Sequence, residues 1–259
     1  MTGRIHPTAV VHPGARLADD VEVGPYSIVG AHVEIGEGSW IGAHVVIDGR
    51  VRIGRRNRIF HFASIGAPPQ DKKYKDEPTS VEIGDDNTIR EYVTVNRGTA
   101  QDIGVTRIGN ENWIMAYVHF AHDCEVGNKT ILANCTQLAG HVIVEDWVIF
   151  GATTLVHQYV RVGAHAFTGM GSFISQDVPP YVMAAGHMAS PYGINSEGLR
   201  RRGFSAQTIQ AIKRAYRTLY RSGLALEDAK RELEAQAGAC PEVRPLLEFL
   251  SRSKRGIIR

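Results

Sequence analysis

A period of six residues constrains this chain more than any other feature. From Ile5 every sixth residue through Ile65 is Ile, Val or Leu, eleven in succession. With such residues at about a third of a chain, an unbroken run of that length arises by chance about once in 10^5 tries. The period resumes at Ile83, Ile89 and Val95, slips by one residue, and runs from Ile108 to Ile174 with Phe at 120 and 150 and one failure, Thr168. A helix needs spacings of three and four and an alternating strand needs two, so neither accommodates six. Each hexad reads instead as a short strand with one buried aliphatic. A corner follows, where a small residue four places on (Ser27, Ser39, Thr130, Thr136, Thr154, Ser172) turns inward. The Gly that often follows the aliphatic is expected to take the unusual φ of that corner. Three hexads close a triangular coil, and about eight or nine coils stacked at about 4.8 Å make a column of about 40 Å, a parallel β-helix.

Two stretches leave the period, 66–82 ("GAPPQDKKYKDEPTSVE") and 100–107 ("AQDIGVTR"). Long excursions from a compact scaffold carry function more often than structure, so both are candidates for substrate contact. After "QDVPPYV" the spacing turns helical. Ser205 is expected to cap a helix with Ile209, Ile212, Tyr216, Leu219 and Tyr220 on one face and Gly223 as its stop. Leu226 and Leu233, then Val243, Leu246, Leu247 and Leu250, mark two more helices. The expected division is a β-helix over 1–190 and an α-helical domain over 191–259, with the boundary near Pro191.

The chain of 259 residues has a net charge of +2, too small to argue for nucleic acid. Residues 192–259 nevertheless hold 14 Lys and Arg against 7 Asp and Glu, so an acidic partner would dock on the C-terminal quarter. Three cysteines at unrelated spacings, Cys124, Cys135 and Cys240, argue for a reducing compartment. No secretory leader and no run of about 18 apolar residues is evident, which leads to the expectation of a cytoplasmic protein without a transmembrane segment.

Residues 18 apart are stacked neighbours in such a column. His122 then lies under Gly140, Asp123 under His141, His119 under Gln137, Ala139 under His157, and Gly140 under Gln158. One edge of the prism thus gathers a polar patch from three coils. A His beside a carboxylate is the usual arrangement of a general base, because the carboxylate fixes the tautomer and stabilises the imidazolium. A neighbouring Gly exposes a bare N–H to an oxyanion. Zinc held by converging histidines is the rival chemistry, although His119 and His122 stand three apart around a corner rather than on one helix face. Cys124 occupies the inward fifth position of its hexad and reads as a buried packing residue rather than a nucleophile.

"FAHDCEVG", "LAGHV", "VHQY", "QDVPPYV" and "NSEGLRRRGFS" together resemble the UDP-N-acetylglucosamine acyltransferase family, and the resemblance extends to the tail "RGIIR". It implies a left-handed β-helix with a helical C-terminal domain, assembled as a homotrimer with active sites between subunits. It implies transfer of an (R)-3-hydroxyacyl group from acyl carrier protein to the 3-hydroxyl of UDP-N-acetylglucosamine, the first step of lipid A biosynthesis, without metal or cofactor. On that likeness His122 is the base, Asp123 orients it, and Gly140 supplies the oxyanion donor. Asp71 and Lys73 contact substrate across the subunit boundary, and His119, His141, His157 and Gln158 line the pocket. Asn195, Glu197, Arg201 and Arg202 hold the nucleotide end. Asn96 stands where many members have His; its amide can donate to a diphosphate but adds no charge. Met170 sits at the position of a hydrocarbon ruler and is expected to favour a medium acyl chain, near about ten carbons, because each methylene refused burial forfeits about 0.8 kcal/mol.

Three alternatives compete. An N-acylating relative on the same scaffold would normally carry an N-terminal nucleotide-binding domain, whereas here hexads begin at Ile5. A γ-type carbonic anhydrase would hold zinc, and a non-catalytic scaffold would tolerate loss of His122. Outward apolar rows 18 apart, Ile131, Ile149 and Phe167 on one side and Leu155 and Phe173 on another, are a liability on a monomer and point to burial between subunits.

Overall fold

The computed structural model describes residues 4–259. Short parallel strands of mostly two residues stack into three sheets of nine, eight and ten strands, so the column is a triangular prism wound as a left-handed β-helix. The first face runs from Val10–Val11 to Phe173–Ile174, the second from Arg16–Leu17 to Arg161–Val162, and the third from Glu22–Val23 to Ser190–Ile194. Partners lie 18 residues apart, as in Gln137 beside Leu155 and Ile131 beside Ile149. The spacing stretches at two places. Ser64 pairs with Thr94, 30 residues on, and Thr94 with His119, 25 on, so the two excursions add 12 and 7 residues to their coils. Both leave from the first face and rejoin at the second, along one edge of the prism.

The hexad aliphatics fill the interior: Ile41, Ile47, Ile59, Ile89, Ile114, Leu132 and Leu138 have no exposed surface, and Ser27, Thr130, Thr136, Thr154 and Ser172 point inward beside them as expected. Cys124 is sealed there too. Burial pushes its thiol up to about 12, which fits a packing residue. The expectation about glycine is corrected. The left-handed corner residue is the third after each aliphatic and is seldom Gly: Tyr26, His44, Phe62, Tyr92, Tyr117, Asp123, Cys135, His141, Tyr159 and His165 all have φ between 56° and 64°. The Gly that follows the aliphatic answers to crowding instead. A Cβ on Gly24 would sit 2.7 Å from the Gly42 carbonyl carbon of the next coil, and one on Gly36 2.7 Å from the Gly54 oxygen. Because corner side chains repeat every coil, their rings stack in columns, Tyr26–His44–Phe62–Tyr92–Tyr117 on one edge and Trp147–His165–Tyr181 on another.

The outer surfaces of the faces differ. The second face presents a charged ladder, Arg16, Glu34, Arg52, Glu82, Arg107 and Glu125, with ion pairs between Arg16 and Glu34 and between Arg107 and both Glu82 and Glu125. The first and third faces carry the apolar rows, including Leu155, 41% exposed, and Trp113, 45% exposed. Val182–Ala185 and Ser190–Ile194 close the column as an antiparallel hairpin, so Pro191 lies inside a strand. Four helices follow: α1 (Ser196–Arg201), α2 (Ala206–Arg221), α3 (Leu226–Ala239) and α4 (Arg244–Arg252). Ser205 caps α2 through its hydroxyl, 3.0 Å from the Thr208 N–H, as read from sequence. The short α1 has no apolar period to announce it. The C-terminal Ile258 returns to bond Asp177, tying the helices to the column.

Candidate active site

His122 and Asp123 occupy the edge between the first and second faces, two coils after the first excursion and one after the second. The His122 Nδ1 lies 2.9 Å from Asp123 Oδ2. The second excursion wraps this carboxylate. Thr99 N–H donates to both oxygens at 3.0 Å, Thr99 Oγ1–H to Oδ2 at 2.7 Å, and Gly104 N–H to Oδ1 at 3.2 Å. Gly98 permits the wrap, since a Cβ there would fall 2.1 Å from Val105 N and 2.7 Å from Asp123 Oδ1. The Asp123 side chain has no exposed surface. Burial pushes its carboxyl up, but the hydrogen bonds from His122 and Thr99 together outweigh burial and hold it below its ordinary value. The carboxylate therefore stays ionised and keeps a proton on His122 Nδ1, leaving Nε2 as the basic atom.

Gly140 stacks on His122 as the 18-residue spacing requires. A Cβ on Gly140 would lie 2.6 Å from the ring's Cε1 and 2.8 Å from Nε2, so only Gly leaves room for the imidazole. Its N–H donates to no acceptor among the described residues. His141 meets His122 edge-on with centroids 4.8 Å apart, stacks on Tyr159 at 4.3 Å, and bonds Asp102 through Nδ1. His119 bonds Thr94 Oγ1 at 2.7 Å, and burial followed by the neighbouring His122 lowers its pKa, keeping it neutral. A cavity of about 500 Å³ runs along this edge, lined by Asn96, His119, His122, Gly140, His157 and Gln158, with Gln70, Leu155 and Phe173 at its margins. A larger hollow of about 670 Å³ lies on the second face, but Arg107 in its wall pairs with Glu82 and Glu125, and no histidine stands among its lining residues.

The structure thus gathers His119, His122, Asp123, Gly140, His141, His157, Gln158 and Asn96 on one edge. Asp71 and Lys73 lie in the first excursion along the same edge, Asp71 Oδ1 accepting from Lys73 N–H at 2.9 Å, and neither lines the cavity. The remaining candidates sit elsewhere. Asn195 caps α1 through Oδ1 (3.1 Å to Gly198 N–H) and holds His165 O through Nδ2. Glu197 pairs with Arg201, while Arg202 lies over the Trp147 ring at 5.1 Å and bonds His165 at 3.1 Å. Trp147 and His165 belong to the edge between the second and third faces. Met170, 80% exposed, belongs to the third edge. Asn96 also differs from expectation: its Nδ2 donates to Pro68 O at 3.0 Å and lies 3.5 Å from Ala67 O, so the amide N–H groups face the first excursion rather than a diphosphate. Sequence reasoning missed Thr99, Gly104 and Asp102. Their only signal was membership of the excursion at 100–107 and its border.

His122, Asp123 and His141 bring three ligand atoms within 4.8 Å of one another. The Asp123 oxygens, however, already face the N–H and O–H groups of Thr99, Gly104 and His122, a donor cradle that suits a bare carboxylate rather than a metal ligand. A buried carboxylate, an oriented imidazole and a bare N–H opposite are the groups that a general base beside an oxyanion donor requires, an arrangement suited to acyl transfer to an alcohol.

Comparison with known proteins agrees with that chemistry. Residues 177–258 match the family profile described as UDP-N-acetylglucosamine O-acyltransferase, domain 2, and residues 106–140 match the bacterial transferase hexapeptide profile of six repeats. The chain is similar to acyl-[acyl-carrier-protein]–UDP-N-acetylglucosamine O-acyltransferases of Thiobacillus denitrificans, 60% identical over 255 residues, and of a Janthinobacterium species, 60% over 259, each match covering 98% of this chain and 99% of the relative. Among solved structures, the UDP-N-acetylglucosamine acyltransferase of Francisella novicida superposes with a TM-score of 0.97 at 43% identity, covering 98% of this chain and 94% of that one. The UDP-N-acetylglucosamine O-acyltransferase of Moraxella catarrhalis gives 0.97 at 46%, covering 99% and 100%. With a shared fold, relatives alike along nearly their whole length and a histidine–carboxylate pair set in the hexapeptide column, this chain belongs to the UDP-N-acetylglucosamine O-acyltransferase family.

Proposed function

We infer that the protein transfers an acyl group from acyl carrier protein to UDP-N-acetylglucosamine, a reaction of lipid A biosynthesis, with the chemistry at His122. The observation that carries the assignment of the base is the Asp123 carboxylate, buried, ionised and bonded to His122 Nδ1. His122 Nε2 takes the proton of the sugar 3-hydroxyl as its oxygen attacks the thioester carbonyl of the (R)-3-hydroxyacyl donor. The carbonyl oxygen gains charge against the Gly140 N–H. The C–S bond then breaks, and the imidazolium returns its proton to the departing thiolate. Asp123 stays ionised throughout and stabilises the imidazolium.

Assembly as a homotrimer accounts for the placement of the other groups. In one chain His122 sits on the edge between the first and second faces, while Arg202, Glu197 and Asn195 gather at the edge between the second and third. A partner meeting the first face with its own third-face side would bring its Arg201 and Arg202 to this cavity, where guanidinium forks suit a diphosphate. The apolar rows of the first and third faces would be covered in the same contact, while the charged second face stays in water. Asp71 and Lys73 reach substrate across that boundary. Met170, at the far edge of the first face beyond Leu155 and Phe173, limits the tail to a medium chain. The basic helical domain receives the acidic carrier protein, and free cysteines fit a cytoplasmic setting; no helix among the described residues is long and apolar enough to cross a membrane.

The test is His122→Ala. It should lower kcat by about 100-fold or more, the usual worth of a general base, with an unchanged thermal midpoint. A folded variant that keeps a tenth of the wild-type rate removes His122 from the role.

A further inference from the structure

The cavity holds one polar atom that the protein leaves unanswered. Asn96 is 3% exposed, lines the cavity with His119 and His122, and its Oδ1 is buried without a hydrogen-bond partner. The orientation of the amide is fixed by its other end. Nδ2 lies 3.0 Å from Pro68 O and 3.5 Å from Ala67 O, so a flipped amide would set oxygen against two carbonyl oxygens. Those carbonyls are held in turn: Arg97 N–H donates to Ala67 O at 3.0 Å, and the strand register shifts between Ile65 and Ala67 to face Asn96. The first excursion therefore locks Asn96 as an acceptor. A buried acceptor without a donor is uncommon and costly, and a donor arriving with a ligand recovers that cost.

We propose that Asn96 is a specificity residue for the acceptor sugar, its Oδ1 receiving a hydroxyl or amide N–H of the N-acetylglucosamine ring; the assignment rests on the function inferred above. Two observations choose the sugar. No Lys, Arg, Asp or Glu of this chain lines the cavity, so the part of the substrate beside Asn96 is a neutral one, and an unpaired carbonyl oxygen repels a phosphate. Val95 pairs with Phe120, which sets Asn96 beside Ala121, one coil before Gly140's, on the side of His122 away from the oxyanion donor. The thioester belongs with Gly140, and the attacking alcohol with its ring belongs on the other side.

The experiment compares Asn96→Ala with wild type, using UDP-N-acetylglucosamine and its 4-deoxy, 6-deoxy and N-methylacetamido analogues, each at saturating acyl carrier protein thioester. Loss of one buried neutral hydrogen bond should raise KM for the sugar nucleotide about tenfold and leave KM for the acyl donor unchanged. One analogue should show that same loss on the wild type and no further loss on the variant. Asn96→Ser serves if Asn96→Ala melts below the assay temperature. A variant whose KM for the sugar nucleotide stays within twofold of wild type, or analogues that all lose the same factor on both proteins, overturns the assignment of Asn96 alone. A wild-type protein that acylates no UDP-N-acetylglucosamine overturns the function on which it rests.

Discussion

The stacking rule sets Gly140 directly against the imidazole of His122. The sequence placed it over His122 by counting 18, and the structure adds why nothing larger fits: a methyl group would reach into the imidazole at 2.6 Å. The coil cannot yield, because Tyr159 N–H holds Gly140 O and His141 N–H holds His122 O, so the ring must turn away. Gly140→Ala should thus lower kcat by about 100-fold, as losing the base does, with KM for both substrates and the thermal midpoint near wild type. A variant keeping more than a third of the wild-type rate would show that the ring tolerates the methyl. Residues legible in advance were those that obey the period, His119, His122, Asp123, His141 and His157. Thr99, Gly104 and Asp102 were illegible because they lie in or beside an insertion, where no register says which atoms meet, and their contacts are largely backbone N–H groups that any sequence carries.

The elements were read with similar unevenness. Three faces and an 18-residue pitch follow from buried aliphatics, and α2 from its cap and apolar stripe. The third-place left-handed corner did not, since Tyr, His and Trp are poor predictors of positive φ and are held there by ring stacking and the fixed coil. One such corner joins column to helices. His165 stacks between Trp147 and Tyr181, receives Asn195 Nδ2 on its carbonyl and Arg202 Nη1 on its ring, and its pKa is lowered to about 4, first by burial and then by Arg202. The unfolded chain binds this proton near pH 6.5, about the ordinary histidine value, whereas the folded protein refuses it until about pH 4. The contribution to stability is therefore complete above about pH 6.5 and is lost progressively as pH falls toward 4. His165→Gln should flatten that decline, read as the difference in thermal midpoint between neutral and acid buffer. An equal acid loss in variant and wild type would place the sensitivity elsewhere.

At the scale of the whole molecule, one chain spreads the proposed site residues over three edges: His122 and Gly140 on the first, Arg202 on the second, Met170 on the third. Mixing chains tests most directly whether two chains build each site jointly. His122→Ala chains, which keep both arginines, are co-assembled in equal amounts with Arg201→Ala/Arg202→Ala chains, which keep the base. In a cyclic trimer every mixed ring contains one site with both parts intact, so random assembly restores about a quarter of the wild-type sites. Activity near that fraction, far above either parent alone, is the expected outcome. A mixture no more active than its parents would contradict a shared site, because each chain would then carry a complete site of its own.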